Sequence, residues 1–287
     1  MAGRVDGPVR TARPGDRDAL YALWAACFDA PHIVPLYESD PGRHERTFVV
    51  PGPGGLLASV YYLPRPIRDG RGGVLRVGGV ANVATRPDAR GQGHVRRLLA
   101  AAVTAMAADG CAWSLLFTGA PAVYSGWRSF ELPLVSGPLA VPGGVCAPLR
   151  AAVPGELAAL HAAHNRRRPL TTVRDPAHWR VRVPLWYGEL LRTHDAYAAV
   201  RWHAGELEIL EVAGDLETLL PALAGEALRR GIRRARARLA WDDPAVPYLL
   251  ESVLRGSDRT GMARALLADP DPVVRAPGAA HWPADYF

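Results

Sequence analysis

The spacing of apolar and polar positions predicts two amphipathic helices and a series of strands in the first half of the chain. A helix after residue 16 places Leu20, Leu23 and Trp24 on one face. A second helix, over residues 95–108, repeats Leu98, Leu99, Ala102, Val103 and Met106 at the same period. Apolar stretches separated by glycine and proline predict strands at residues 9–12, 46–50, 56–63, 74–85 and 112–118. The expected order is an antiparallel meander followed by a β-α-β unit.

The second half repeats a similar order of predicted elements. Helices are expected at residues 154–165 and 216–230, with a further segment at 179–191. Strands are expected at residues 196–202, 206–213 and 236–241. A glycine-, proline- and alanine-rich stretch at residues 137–155 predicts a domain boundary near residue 145. We therefore predict two domains, residues 1–145 and 146–287, and the repeated order makes an internal duplication a hypothesis.

Composition narrows the class of protein. Hydrophobic residues make up 49% of the 287 residues and charged residues 22%, which is typical of a soluble globular protein. The first 16 residues lack the apolar run of a signal peptide, and no stretch has the roughly 18 apolar residues of a membrane span. We expect a cytoplasmic protein without a membrane partner. The three cysteines, which are far apart, indicate neither a disulfide framework nor a zinc site, so no metal is predicted.

The positive charge admits a nucleic-acid partner, but the pattern does not favour one. The chain has 34 basic and 28 acidic residues, a net charge of +6, and all its basic residues are arginine. These arginines are spread along the whole chain without an aromatic base-stacking pattern. The densest run, residues 229–238, alternates like a helix end followed by a strand. An anionic ligand such as a nucleotide cofactor is the simpler interpretation.

The segment from Arg90 to Val95 has the properties of a phosphate-binding turn. Gly91 and Gly93 let the backbone adopt turn conformations that direct successive N–H groups toward an anion at the start of the following helix. The helix dipole and the guanidinium of Arg90 add to the attraction. A P-loop would need Gly-Lys-Ser/Thr, and a dinucleotide fold would need a first parallel strand before the turn. Neither is present in the pattern.

Residues 83–93, with Val83-Ala84-Thr85, Pro87 and Arg90-Gly91-x-Gly93, resemble the acetyl-CoA signature of the GNAT (GCN5-related) N-acetyltransferase superfamily. That signature has the form Gln/Arg-x-x-Gly-x-Gly/Ala, and Val95 occupies its final small position. The resemblance implies that backbone groups of Val83 and Thr85 pair with the pantetheine arm and that the N–H groups of residues 92–96 hold the pyrophosphate. The expected acetyl-CoA contacts are Val83, Ala84, Thr85, Arg90, Gly91, Gln92, Gly93, His94, Val95 and Arg96.

The same resemblance implies a candidate general acid. Residues 121–127 stand where the superfamily has a short helix with a tyrosine, although the Gly-Phe pair that follows it is replaced by Arg128-Ser129-Phe130. In the superfamily this tyrosine protonates the departing CoA thiolate, so Tyr124 is the candidate. The alternative is an aromatic side chain packed on the neighbouring strand with its hydroxyl bonded to the backbone.

The second half resembles the degenerate repeat of tandem acetyltransferases of the enhanced-intracellular-survival (Eis) type. Residues 174–182, Arg-Asp-Pro-x-x-Trp-x-x-Arg, carry this resemblance. It implies an α/β (α+β) chain of two GNAT-like domains, each with a mixed, mostly antiparallel central sheet flanked by helices. Because the second half lacks an Arg-x-x-Gly-x-Gly turn, we expect it to support the first domain and to wall the acceptor site.

Acetyl transfer to an amine also needs a base. In Eis-type enzymes the C-terminal carboxylate is assigned this role, which makes Phe287 a catalytic candidate, although those enzymes carry a third, sterol-carrier-like domain that this chain is too short to contain. The alternative is a frayed chain end. His32, Glu38 and Glu45 lie in a region that commonly borders the acceptor site, and solvated loop charge is their simpler explanation.

The sequence thus predicts an N-acetyltransferase that moves an acetyl group from acetyl-CoA to a primary amine of a small molecule or peptide. The runner-up is a catalytically silent acyl-CoA-binding or regulatory protein of the same fold, and a third hypothesis is a nucleic-acid binder. The acceptor is not specified by the sequence. Both a monomer and a homo-oligomer stay open.

Overall fold

The computed structural model describes residues 7–287. The elements of the first half, in chain order, are β1 (Arg10–Thr11), α1 (Arg17–Ala25), α2 (Ile33–Glu38), β2 (Thr47–Gly52), β3 (Gly55–Arg68), β4 (Val74–Thr85), α3 (His94–Ala108), β5 (Trp113–Phe117), β6 (Arg128–Ser129) and β7 (Leu132–Pro138). The periodicity therefore placed β4 at its observed bounds and the start of α3 within one residue, whereas β3 continues five residues beyond the predicted 56–63. α2, β6 and β7 were not among the predicted elements.

The second half begins with β8 (Arg150–Ala151), and a π-helical turn (His178–Arg182) leads into its second helix. The remaining elements are α4 (Ala158–Asn165), α5 (Val183–Trp186), β9 (Glu189–Arg192), β10 (Ala196–His203), β11 (Glu206–Gly214), α6 (Leu216–Arg229), β12 (Arg234–Ala237), β13 (Leu254–Asp258), β14 (Gly261–Ala265) and α7 (Asp271–Val274). No helix within residues 7–287 is long and apolar enough to cross a membrane.

Within the described residues the strands form two seven-stranded mixed sheets. The first has the order β1-β2-β3-β4-β5-β14-β6 and the second the order β13-β7-β12-β11-β10-β9-β8. In each sheet the pair joined through a long helix is parallel, β4 with β5 through α3 and β11 with β12 through α6, and the other pairs are antiparallel. The predicted fold class is confirmed.

The two sheets exchange strands. β7, from the first half of the chain, lies between β12 and β13 of the second sheet, and β14, from the second half, lies between β5 and β6 of the first. Sheet membership therefore changes between Ser129 and Leu132, earlier than residue 145, and changes back before Gly261. The domain boundary at residue 145 stays a prediction, and it describes chain position rather than sheet membership.

Both faces of the first sheet are covered by helices. Because side chains alternate along a strand, Val60, Tyr62 and Val80 share one face, where they pack against Leu98 and other apolar residues of α3. On the opposite face Tyr61, Leu63 and Ala81 pack against Leu20, Leu23 and Trp24 of α1. We refer to these as the α3 face and the α1 face. The predicted cofactor turn leads into α3, and α1 packs on the opposite face of the sheet.

Candidate active site

The candidate site is an opening between β4 and β5. The two strands pair only from Val77 to Gly79 on β4, which lie opposite Trp113 to Leu115 on β5, and β4 then continues to Thr85. β4 also bulges, because Asn82 and Val83 lie opposite the single residue Val60 of β3, with Asn82 at φ +49°. Among residues 7–287, no strand pairs with the β5-side edge of β4 beyond Gly79. This edge can accept an extended chain as an additional strand would be accepted.

The glycine-rich turn lies directly after this edge. Gly91 and Gly93 adopt φ values of +76° and +78°, which glycine reaches without steric cost, and α3 begins at His94. No side chain in the described part of the chain caps this helix terminus. The N–H groups of the first helical turn have no partner within the helix, and the helix dipole makes this end positive. The arrangement is suited to bind a phosphate.

The side chains around the turn differ in exposure. Arg90 and Arg96 are exposed, so their guanidinium groups can reach a bound anion. Val95 is half-buried and packs against the core on the α3 face. His94 is only 2% exposed, which the sequence did not indicate. The predicted acetyl-CoA contacts thus lie together along β4 and its turn, and their binding role remains a prediction.

Tyr124 follows a single 3-10 turn (Pro121–Val123) where the resemblance implied a short helix. Its half-buried ring packs against the core on the α3 face and meets Trp127 edge-on, with ring centroids 6.2 Å apart. The Trp127 indole N–H donates to Ser114 of β5 over 3.2 Å, which fixes the turn to the strand. Burial raises the pKa of Tyr124 and a hydrogen bond with Thr118 lowers it less. The phenol is therefore protonated at neutral pH.

The last residue of the chain lies where the opening begins. The ring of Phe287 packs so closely on Gly79 that a Cβ atom there would lie 1.9 Å from its Cδ1. Gly79 is the last residue of β4 paired with β5, and its missing side chain points away from α3, since a Cβ on the preceding Gly78 would meet Met106 of that helix. Phe287 thus lies on the α1 face of the sheet, beside the point where the two strands separate.

Buried ion pairs hold the chain end in place. The Asp285 carboxylate accepts a hydrogen bond from Nε of Arg174 at 2.7 Å and lies 3.1 Å from Nε2 of His178. The other edge of Arg174 donates two hydrogen bonds, of 2.9 and 2.7 Å, to Glu211 of β11. Asp285, Glu211 and the Arg174 side chain are all fully buried. The alternative of a frayed terminus is therefore wrong for this structure.

Further groups complete the anchor around Tyr286. Its ring stacks on Phe117 of β5 with centroids 4.2 Å apart, its hydroxyl donates to Asp258 over 3.1 Å, and Arg182 donates to its carbonyl oxygen. Burial alone would raise the pKa of Asp285, but Arg174 and His178 hold that pKa well below its usual range. Asp285 therefore stays ionised. Its ion pair with Arg174 and the contacts of Tyr286 together hold the end of the chain in position.

The three loop candidates for a base have different surroundings. His32 lies beside Phe287 in a cavity of about 20 Å³ and packs on Trp186 at 4.8 Å between ring centroids. Burial, and then the charge of Arg182, lower the pKa of His32, so its ring is neutral. Glu38 is engaged by Tyr21, Arg17 and Arg43, and Glu45 is exposed. The structure brings His32, but neither glutamate, next to the chain end.

Comparison with known proteins found a family to which part of the chain is similar. Residues 8–129 match the family model described as an acetyltransferase (GNAT) domain. A search of curated proteins found no match.

Solved structures resemble most of the chain. A probable N-acyltransferase from Enterococcus faecalis V583 has a TM-score of 0.73 at 14% identity, with 91% of this chain and 72% of that chain covered. A GCN5-related N-acetyltransferase from Kribbella flavida has a TM-score of 0.71 at 17% identity, with 91% and 71% covered. Eis1 from Mycobacterium abscessus has a TM-score of 0.70 at 14% identity, with 91% and 74% covered. At these identities the likeness shows the fold, and together with the family match it supports acetyl transfer in general.

Proposed function

We propose, from the premise that residues 8–129 are a GNAT acetyltransferase domain, that this protein transfers an acetyl group from acetyl-CoA to a primary amine. The observation that carries the proposal is the edge of β4 beyond Gly79, which pairs with no strand among residues 7–287 and leads directly into a helix start that has two left-handed glycines and no side-chain cap in the same range. The edge fits an extended pantetheine arm and the helix start fits a pyrophosphate. The two features lie in the order in which CoA presents these groups.

The residues around the opening can supply the proton transfers. Acetyl-CoA supplies an acetyl thioester, whose carbonyl carbon the neutral amine attacks. As the C–N bond forms and the C–S bond breaks, the phenol of Tyr124 donates its proton to the sulfur. The proton lost by the amine passes to a base on the α1 face, and the terminal carboxylate of Phe287 is the proposed acceptor. The buried Arg174–Asp285 pair supports this role because it holds the preceding residues in one position.

Release of free thiol from acetyl-CoA in the presence of an amine panel tests the activity, and calorimetry with CoA tests binding. Tyr124→Phe and deletion of Phe287 are each expected to lower kcat by about 10²–10⁴-fold while CoA still binds. Tyr248→Phe, at an exposed phenol of the second half, serves as the control and should retain full activity. Failure to bind CoA would reject the proposal.

A catalytically silent CoA-binding protein is the competing outcome of the same experiment. It would bind CoA, acetylate no amine of the panel, and show the same CoA affinity in the wild type and in Tyr124→Phe. Val95, half-buried at the final position of the turn, favours this second outcome, because its side chain is larger than glycine or alanine and lies beside the proposed pyrophosphate site.

A further inference from the structure

A cleft of about 370 Å³ lies on the α1 face, between the two halves of the chain. Its walls are the end of α2 and the following loop, residues 63–65 of β3, and the π-helical turn (His178–Arg182). It shares Leu36, Leu63 and Arg182 with the small cavity that holds Phe287. A volume of this size suits a small organic molecule, and the shared lining connects it to the opening beside β4.

The acidic groups of the cleft already have partners. The Asp40 carboxylate accepts hydrogen bonds from Arg46 at 2.9 Å and from the Tyr61 hydroxyl at 2.6 Å. The Asp175 carboxylate accepts the backbone N–H of His178 at 2.7 Å, at the start of the π-helical turn. Burial lowers the pKa of His178 to about 4, so this ring adds no positive charge at neutral pH.

The arginines of the cleft, by contrast, are only partly used. The half-buried Arg65 side chain points to the α1 face, in alternation with Tyr61 and Leu63, and its buried Nε has no hydrogen-bond acceptor within residues 7–287. Arg182 is 4% exposed and donates a hydrogen bond to the Tyr286 carbonyl oxygen. Its Nε has no acceptor among residues 7–287. The Asp285 carboxylate accepts a hydrogen bond from Arg174 and lies 3.1 Å from Nε2 of His178, and its charge acts on Arg65 and Arg182 without a hydrogen bond to either.

These two guanidinium groups are also close enough to repel each other. Burial, followed by the charge of Arg65, lowers the pKa of Arg182 to about 9, which still leaves it protonated at neutral pH. The Nε atoms of both arginines are buried without an acceptor among residues 7–287, which is costly because an unsatisfied donor loses its hydration. A bound oxyanion would satisfy both groups, because the guanidinium fork matches a carboxylate or phosphate.

We propose that the cleft binds an acceptor which carries an oxyanion, with this group held by Arg65 and Arg182 and its amine directed toward Phe287. This inference rests on the proposed function and names its substrate class: amines that bear a carboxylate or phosphate, rather than polycationic amines. Arg65 sets this preference. It acts on the acceptor and not on the reacting atoms.

Matched pairs of acceptors test the proposal in the full-length protein. 4-Aminobutyrate is compared with 4-aminobutanamide, and 2-aminoethyl phosphate with ethanolamine, by thiol release from acetyl-CoA. We expect kcat/KM to be at least about tenfold higher for the anionic member of one pair, and the pair that responds distinguishes a carboxylate site from a phosphate site. Equal values of kcat/KM, or higher values for the two amines that lack an oxyanion, would overturn the proposal.

Variants at position 65 test whether Arg65 causes the preference for acceptors that carry an oxyanion. Arg65→Gln is expected to reduce the ratio of kcat/KM for the anionic acceptor to that for its partner without the oxyanion to about one, mainly through a higher KM for the anionic acceptor. Arg65→Lys should retain part of the preference, because the charge remains without the fork. The control is Arg76→Gln on β4, whose side chain is 51% exposed and does not line the cleft. A full preference in Arg65→Gln would contradict the assignment.

A binding measurement separates this proposal from the acetyltransferase proposal. If no amine is acetylated, the proposed function fails, and calorimetry with both acceptor pairs on CoA-saturated protein then decides the inference. Tighter binding of the anion in the wild type, lost in Arg65→Gln, supports the cleft as an oxyanion site. Equal or absent binding of the two compounds in both pairs rejects it. Melting temperatures of the variants confirm that each is folded.

Discussion

The β4–α3 turn and the β11–α6 turn each lead from a bulged strand into the long helix that connects two parallel strands. In the first turn, Gly93 stands before the helix and no side chain among residues 7–287 caps it. In the second, the Asp215 carboxylate accepts the N–H groups of Glu217 and Thr218 at 3.1 and 3.3 Å. Among residues 7–287 the start of α3 thus has no side-chain cap, which suits binding of an external anion. The start of α6 is capped by the carboxylate of Asp215.

The regions beside the two bulges differ in the same way. Beside the bulge of β4 lie the opening and the chain end. Beside the bulge of β11 lies Glu211, fully buried and bound to Arg174, His161, Tyr187 and Tyr197. The comparison teaches that equivalent positions of the two sheets are left open in one sheet, where we propose a ligand, and are filled in the other by a buried polar network that positions the terminus.

The largest effect is expected from breaking the buried network. Arg174→Met leaves two carboxylates, Glu211 and Asp285, without their shared cation and should lower the free energy of unfolding by about 3–5 kcal/mol. Urea denaturation measures this. Arg180→Met, at an exposed arginine of the π-helical turn, is the matched control. A loss below about 1 kcal/mol would mean that the network does not hold the second half together.

The second turn should also carry a pH dependence. His164 Nδ1 accepts the N–H of Gly214 at 3.3 Å, and burial, with the charges of Arg168 and His161, lowers its pKa to about 4. The unfolded chain, with a histidine pKa of about 6.5, binds the proton first, so stability is full above that pH and falls as pH drops toward 4.

In His164→Gln this fall should shrink by about 2–3 kcal/mol, measured as the free energy of unfolding between pH 7 and pH 4. The amide oxygen of glutamine can still accept the Gly214 N–H. His194→Gln replaces a side chain that is 92% exposed and serves as the control. An unchanged pH profile in His164→Gln would show that this ring is not the titrating group.

A glycine substitution in each half tests whether the first turn binds the cofactor. Gly93→Ala and Gly205→Ala both place a side chain at positive φ, +78° and +86°, and should each destabilise by about 1–2 kcal/mol. Only Gly93→Ala is expected to weaken CoA binding, by at least about tenfold in calorimetry, because the N–H groups of its turn form the proposed phosphate site. Equal CoA affinity in the two variants would contradict that site.

The smallest effect concerns the helix cap of the second turn. Asp215→Ala removes the acceptor for two backbone N–H groups and should cost about 1 kcal/mol, seen as a lower melting temperature. Asp242→Ala, at an exposed aspartate, controls for the change of charge. If the two variants melt alike, Asp215 does not stabilise α6.

Local patterns were sufficient to predict the elements around the cofactor turn. The apolar positions Leu98, Leu99, Ala102 and Met106 are buried as their period indicated, and β4 occupies the predicted residues 74–85. Gly91 and Gly93 have the positive φ values that the phosphate-turn prediction requires. Helix periodicity, strand bounds and glycine conformations depend mainly on residues that are close in sequence, so they can be predicted from a single sequence.

Features that depend on distant partners were not predictable in this way. An unbroken alternation would place Glu211 on the face of Leu207 and Ile209, but the bulge at Leu210 moves it to the face of Tyr197, where Arg174 binds it. Arg65 likewise has an ordinary strand position, and its environment arises from a second half that no local pattern places there.

The exchange of β7 and β14 has a consequence for biosynthesis. The ribosome completes β5 long before it makes β14, so the edge of β5 stays unpaired while most of the second half is still being synthesised. A nascent or truncated chain ending near residue 145 would expose this edge together with an unpartnered β7. We therefore expect the two halves to fold together, with Phe287 reaching its place beside Gly79 only after the strands of the second half have been made.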